Sequence, residues 1–299
     1  MAALRAAADA PDPASSPSGP VQGLLRRCGE FLGAMERDWL GLVESPLSMR
    51  MQESGWSPDR PEEYCDRCGA SVGFGEGTEF GCASCAGTRP KWERVIRLGL
   101  YAPPLDDWIQ AVKFRRCHLL GEQIGKQLGK ALRQAGVLDR AGGSRGVVVT
   151  PVPTTFRRRM ERKIDHTLAI ARGVGSELGV CVHQLLVRQH RRSQRAVAFS
   201  EREANVRGAI RLRGSAARRV WGVRGVRGRR VVVLVDDVTT SGATLRACTR
   251  ALRELPGIES VWCGVVGVAP DHARREGNAG RGDVDDLREN ALLGPFGVE

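Results

Sequence analysis

Apolar residues along this chain recur at two spacings, and each predicts a different element. Leu24, Leu25, Cys28, Phe31, Leu32 and Met35 fall at helical intervals and predict a short amphipathic helix. Ser45-Pro46 and then Ser57-Pro58-Asp59-Arg60-Pro61 read as linker. Leu105 to Phe114 and Leu119 to Leu132 predict two helices, ended by the Gly142-Gly143 break, and Ile164 to Leu178 predicts a third. Between them stand short, nearly unbroken runs of β-branched residues, which mark strands buried on both faces: Gly146 to Val152, Val231 to Val235 and Val261 to Val268. Ala243 to Leu255 predicts the helix that follows the second of these strands. Val206 to Leu212 fits a strand in a small peripheral unit. Strands alternating with helices predict an α/β domain built on a mostly parallel, twisted sheet flanked by helices.

Composition adds the ends and the partners. The first 20 residues are rich in Ala, Pro and Ser and carry Asp9 and Asp12, so they read as a disordered lead-in rather than a secretory signal. The tail from Asp271 reads as poorly ordered. The expected organisation is therefore a lead-in over 1–20, helix and linker over 21–61, a Cys/Gly module over 62–90, the α/β domain over 91–270, and a flexible tail over 271–299. No apolar run is long enough to span a membrane, and a cytoplasmic location is expected. The 46 Lys and Arg against 34 Asp and Glu give a net charge of +12, with runs such as Arg157-Arg158-Arg159, Arg191-Arg192 and Arg229-Arg230. That balance favours anionic partners, either phosphate-bearing small molecules or nucleic acid. Aromatic residues make up only 5% and do not interleave with the basic runs, which speaks against base-stacking platforms.

The densest chemistry follows the second strand: Asp236-Asp237-Val238-Thr239-Thr240-Ser241-Gly242-Ala243-Thr244. Ligands of open α/β sheets sit beyond the carboxyl ends of strands, where the two acids stand. The small, hydroxyl-rich turn leads straight into a helix, whose first amides and dipole favour a phosphate. Two carboxylates beside a phosphate cradle need something between them. A ribose answers this, with its 2′- and 3′-hydroxyls on the acids and its 5′-phosphate in the turn. A magnesium ion on a pyrophosphate would relieve the remaining charge. The Val152-Pro153-Thr154 loop also follows a predicted strand, where pyrophosphate can meet backbone amides. Arg157 to Arg159 and Arg195 are its candidate cations, with solvated surface charge as the other reading. His166 is expected on a helix surface, with acid–base chemistry as the alternative.

Cys65-Asp66-Arg67-Cys68 and Cys82-Ala83-Ser84-Cys85 form two CxxC pairs thirteen residues apart, with Gly69 and Gly87 following as knuckle turns favour. Each pair presents two thiolates to one ion, and together they complete a tetrahedral structural zinc site. A redox-active pair or an iron–sulfur centre would need a βαβ setting or a cluster spacing that the chain lacks. The odd total of nine cysteines argues against a disulfide framework.

The Asp236 to Thr244 segment resembles the 5-phosphoribosyl-1-pyrophosphate signature of type I phosphoribosyltransferases, with Ser241 where a second Thr is common. A zinc knuckle pair upstream of such a domain resembles the arrangement of the ComF family, whose named members are linked to DNA uptake in competence. Ala111-Val112-Lys113-Phe114, Thr150-Pro151-Val152-Pro153, Arg192-Ser193-Gln194 and Glu201 to Ala209 resemble further stretches of that family. Lys163 departs from it where Gly is usual, and Asp165-His166 where Asn-Gln is usual. The resemblance implies a phosphoribosyltransferase-like sheet with a small hood and structural zinc on the four cysteines. It also implies binding of the pyrophosphoryl sugar with Mg²⁺ at Pro153, Thr154 and 236–244, Asp236 and Asp237 being the catalytic pair. Transfer to an unidentified nitrogenous acceptor such as a nucleobase follows as the expected activity. A non-catalytic competence or repair module with DNA as partner is the alternative.

Overall fold

The protein is described here by a computed structural model covering residues 45–73, 76, 81–86, 88, 90–114, 117–154, 165–188, 209–214 and 230–270. The expected helix near Leu24 to Met35, the arginines at 157–159 and 195, Lys163 and the tail lie outside the described residues. Four strands form one sheet: β1 (Arg94–Leu100), β2 (Val147–Pro151), β5 (Arg230–Thr239) and β6 (Ile258–Val268). All pairs are parallel, in the order β1-β6-β5-β2. A separate antiparallel ribbon pairs β3 (Leu186–Arg188) with β4 (Ile210–Leu212). The helices are α1 (Leu47–Ser54), α2 (Leu105–Phe114), α3 (His118–Gln134), α4 (Val137–Arg140), α5 (His166–Leu178) and α6 (Ala243–Leu252).

Alternation along β5 divides the core. Val231, Val233 and Val235 pack with α2, α3 and α5 on one face, while Val232 and Leu234 pack with α6 on the other. The helices present matching stripes: Leu120, Ile124, Leu128 and Leu132 on α3 at intervals of four, and Leu245, Cys248 and Leu252 on α6. Burial on both faces is what the unbroken valine runs require.

Three features depart from the sequence pattern. β5 continues past Val235 through both acids, because the long β6 keeps pairing with it as far as Thr239↔Val268. Asp236 and Asp237 therefore lie inside the strand's last third, not beyond it. β1 was hidden by its two arginines, yet Arg97 is only 2% exposed. The stretch that composition reads as linker contains α1. Its Leu47 is buried, and its first amide donates to Gln123 Oε1 at 2.7 Å.

Both outer strand edges are covered. Beside β2, His183 N donates to Val149 O at 2.9 Å and Leu185 N donates to Thr150 Oγ1 at 3.2 Å. Beside β1 stands the cysteine module, described below. No described helix is long and apolar enough to cross a membrane.

α3 and α5 meet through a glycine face. A methyl group on Gly125 would run into the Ile170 carbonyl oxygen, and one on Gly173 into that of Glu122. This close approach sets how near α3 and α5 lie to each other. Gly125→Ala is expected to destabilise the chain by about 1–3 kcal/mol through overpacking. A thermal melt followed by circular dichroism checks this, and an unchanged midpoint would contradict the close crossing.

Candidate phosphate site and cysteine cluster

The site is assembled at the carboxyl end of the sheet. Asp237 lies on the β5 face shared with α2 and α5, and each helix sends it one side chain. Lys113 Nζ is 3.0 Å from Asp237 Oδ2, and His166 Nε2 is 3.2 Å from the same oxygen. Both partners are 4% exposed. Val238 N donates to Asp237 Oδ1 at 2.8 Å. Burial alone would raise the Asp237 carboxyl, but Lys113 and His166 outweigh it and hold this acid well below the usual carboxylate range. The expectation of a surface His166 is therefore corrected. The register of α5 turns the ring inward, and its Nδ1 is buried with no hydrogen-bond partner.

Asp236 lies on the opposite face, toward α6 and the Cys248 and Cys263 thiols. Its Oδ1 accepts from Asp237 N at 3.0 Å. Burial first, and then the neighbouring Asp237 charge, push its carboxyl well above the ordinary value. The two adjacent acids are thus unequal: one is held ionised, and the other resists ionisation until something polar reaches it.

Val238 is half-buried and Thr239 buried, its carbonyl accepting from Ala269 N at 2.9 Å. Thr240, Gly242, Ala243 and Thr244 are half-buried and Ser241 is exposed. Gly242 adopts φ +70° as the residue before α6, and no side chain caps that helix. Its first amides are open to an anion. Arg246, one turn along, donates from Nη1 to Ser241 O at 2.8 Å and adds positive charge that the sequence reading missed.

Parallel pairing puts Pro151 opposite Val235, and Val152 N donates to Val235 O at 2.8 Å. Pro153 and Thr154 therefore emerge beside the acid pair. The loop is tied to α5, where Thr167 Oγ1 donates to Val152 O at 3.1 Å and lies 3.4 Å from Thr154 Oγ1. Asp165 caps α5 by accepting from Leu168 N at 3.3 Å. A shallow, solvent-open cleft runs from Pro153, Thr154 and Asp165 to Gln184, Arg188 and Arg213 of the β3–β4 region.

The four cysteines of the CxxC pairs converge, all four sulfurs lying within 4.8 Å of one another. Cys65 and Cys85 sulfurs are 3.8 Å apart, Cys68 and Cys82 3.6 Å, and Cys82 and Cys85 4.0 Å. Sulfurs at 2.3 Å from a tetrahedral zinc stand about 3.8 Å apart, so the set fits structural zinc. Hydrogen bonding from Cys68 leads the effects that pull the Cys65 thiol down to about 4. The first knuckle closes through Gly69 N to Cys65 O at 2.7 Å and Cys65 N to Ala70 O at 2.8 Å.

The knuckle is built onto the edge of β1. Val95 N donates to Asp66 O at 2.5 Å, and Asp59 N donates to Leu98 O at 2.8 Å. Arg97 donates to Gly69 O at 2.7 Å and to Ser71 Oγ at 2.9 Å, and pairs with Asp59 at 2.6 Å.

No family model matches the chain. The chain is 26% identical over 200 residues to Competence protein F of Haemophilus influenzae, covering 66% of this chain and 81% of that protein. It is 24% identical over 204 residues to DNA utilization protein YhgH of Salmonella typhi and 25% over 208 residues to that of Escherichia coli K12. Each YhgH match covers 67% of this chain and 82% of the relative. The resemblance to the ComF family thus extends along two thirds of the chain. Among solved structures, it is similar to the glutamine phosphoribosylpyrophosphate amidotransferase from B. subtilis, at 26% identity and a TM-score of 0.30. That match covers 49% of this chain and only 26% of the amidotransferase.

Between the unfolded carboxylate value near 3.9 and its raised folded value, Asp236 keeps a proton that the unfolded chain releases, so stability falls as pH rises through that window. Asp236→Asn should remove that dependence and stabilise the ligand-free chain at neutral pH by on the order of 1 kcal/mol. Thermal melts from pH 5 to 8 check this, and a lower midpoint for the variant would contradict it. Asp237→Asn should do the reverse, by about 3–5 kcal/mol, because it leaves the buried Lys113 ammonium without its carboxylate. For the cluster, metal analysis should find one zinc per chain, and Cys65→Ser or Cys82→Ser should lose it together with thermal stability.

Proposed function

We propose that the 236–244 site binds 5-phosphoribosyl-1-pyrophosphate as its magnesium complex and transfers the phosphoribosyl group to a nitrogenous acceptor. One observation carries this reading: the buried, unequal Asp236–Asp237 pair runs directly into the left-handed Gly242 and the uncapped start of α6. The ribose hydroxyls donate to the two carboxylates. The 5′-phosphate accepts from the α6 amides and the hydroxyls of Thr240, Ser241 and Thr244, near Arg246. Asp237 arrives already fixed by Lys113 and His166, so little of its desolvation remains to be met on binding. Among the described residues no cation pairs with Asp236, and sugar hydroxyls supply further donors to it.

The pyrophosphate then lies toward Pro153 and Thr154, and the acceptor enters the cleft edged by Gln184, Arg188 and Arg213. In the transfer, the acceptor nitrogen forms a bond to C1′ as the bond from C1′ to the pyrophosphate oxygen breaks. The acceptor's proton leaves to solvent, and pyrophosphate departs with its magnesium. Positive charge grows on the ribose ring at the transition state, beside the Asp237 carboxylate.

The relatives' names, Competence protein F and DNA utilization protein YhgH, support a place in DNA uptake or use. They also favour a second reading, in which the sugar-phosphate pocket serves a DNA-associated module without turnover. Titration calorimetry with the pyrophosphoryl sugar and Mg²⁺ tests the first reading. Saturable binding is expected, weakened about 10- to 100-fold in Asp236→Asn through loss of charge-assisted hydrogen bonds. Absence of binding by the native chain sinks it, and DNA affinity falling steeply with salt would then favour the second.

A further inference from the structure

Trp92 stands just before β1 and is 8% exposed. Its indole Nε1 donates to Arg67 O at 2.8 Å, and Arg67 lies between the two thiols of the first knuckle. The far edge of the same ring reaches the phosphate turn: a methyl group placed on Gly242 would lie 3.5 Å from Trp92 Cη2. One rigid side chain therefore hydrogen-bonds the cysteine module and walls the space beside the residue that precedes α6. Trp92 shares its buried cluster with Leu245, Cys248 and Val268. Beside it, Lys91 O accepts from Arg253 Nε at 2.7 Å. Residues 91 and 92 thus brace α6 from the residue after its end to the residue before its start.

The Arg67 carbonyl points at the indole only while the first knuckle is closed. That closure wraps the chain around Cys65 and Cys68, whose sulfurs the fitted zinc would hold. If the thiolate set comes apart, the indole N–H loses its acceptor in a buried place, and the ring has reason to move. Movement of the ring removes the wall behind Gly242, whose left-handed backbone aims the first α6 amides.

We propose that Trp92 is a positioning residue for the phosphate turn, and that through it zinc ligation at Cys65, Cys68, Cys82 and Cys85 sets the turn's affinity for a sugar 5-phosphate. This coupling rests on the sugar-phosphate reading of the 236–244 site. Linkage makes it reciprocal, so bound sugar phosphate must tighten zinc by the same factor.

The test compares the full zinc-loaded chain with Trp92→Phe, which keeps a ring and removes the N–H. Calorimetry with 5-phosphoribosyl-1-pyrophosphate and Mg²⁺ should show about fivefold weaker binding by the variant, the factor expected for one lost hydrogen bond. Its zinc content should match that of the native chain. In a second measurement, zinc passes to a chromogenic chelator with and without the sugar. At equilibrium the sugar should reduce zinc release to the chelator from the native chain and leave release from the variant unchanged. Equal affinities for the native chain and the variant, or zinc release indifferent to the sugar in the native chain, overturn the coupling alone. No binding by the native chain overturns the sugar-phosphate reading as well.

Discussion

A carboxylate inside a parallel sheet must find partners for its charge, and Asp237 sets much of the arrangement around it. Its oxygens lie on the β5 face covered by α2 and α5, so Lys113 and His166 must arrive from those two helices. Lys113 in turn stands 5.9 Å from the centre of the Tyr101 ring, which follows β1. The glycine contact between α3 and α5 lets these two helices pack closely together over that part of the fold. Asp236, one residue earlier and on the other face, has no such partner. A pair of this kind is a poor way to stabilise a fold and a suitable way to hold a polyhydroxylated ligand.

The sheet has two outer edges, and both are occupied. Unpaired strand edges invite association with other chains, so their covering is a structural need in itself. Segment 182–185 serves β2 and leads into the β3–β4 ribbon beside the cleft. The cysteine module serves β1 through Asp66, while Arg97 binds two of its groups, and Asp59 before it, from inside the fold. A module that reads as a small appendage is thus part of the main body's hydrogen bonding. Such a setting gives the thiolate site a physical route, through Trp92, to the turn before α6.

The sequence by itself determined the parts whose signal is local. Valine runs buried on both faces announced β2, β5 and β6, and four-residue apolar spacing announced α2, α3, α5 and α6. The two CxxC pairs announced the cysteine cluster, and the acids with Thr240 to Thr244 announced a strand that runs through a small turn into a helix. What only the tertiary structure decided is which distant groups meet. β1 was illegible because Arg97 looks like a surface residue until the knuckle carbonyls and Asp59 surround it. His166 looked external because helical register near a segment boundary does not say which face points inward. Lys113 stood in a recognised stretch without a role until Asp237 came within 3.0 Å. The inequality of the two acids was equally invisible, because identical neighbouring side chains differ only through burial and nearby charge. Both are properties of the folded surroundings and not of the chain's spelling.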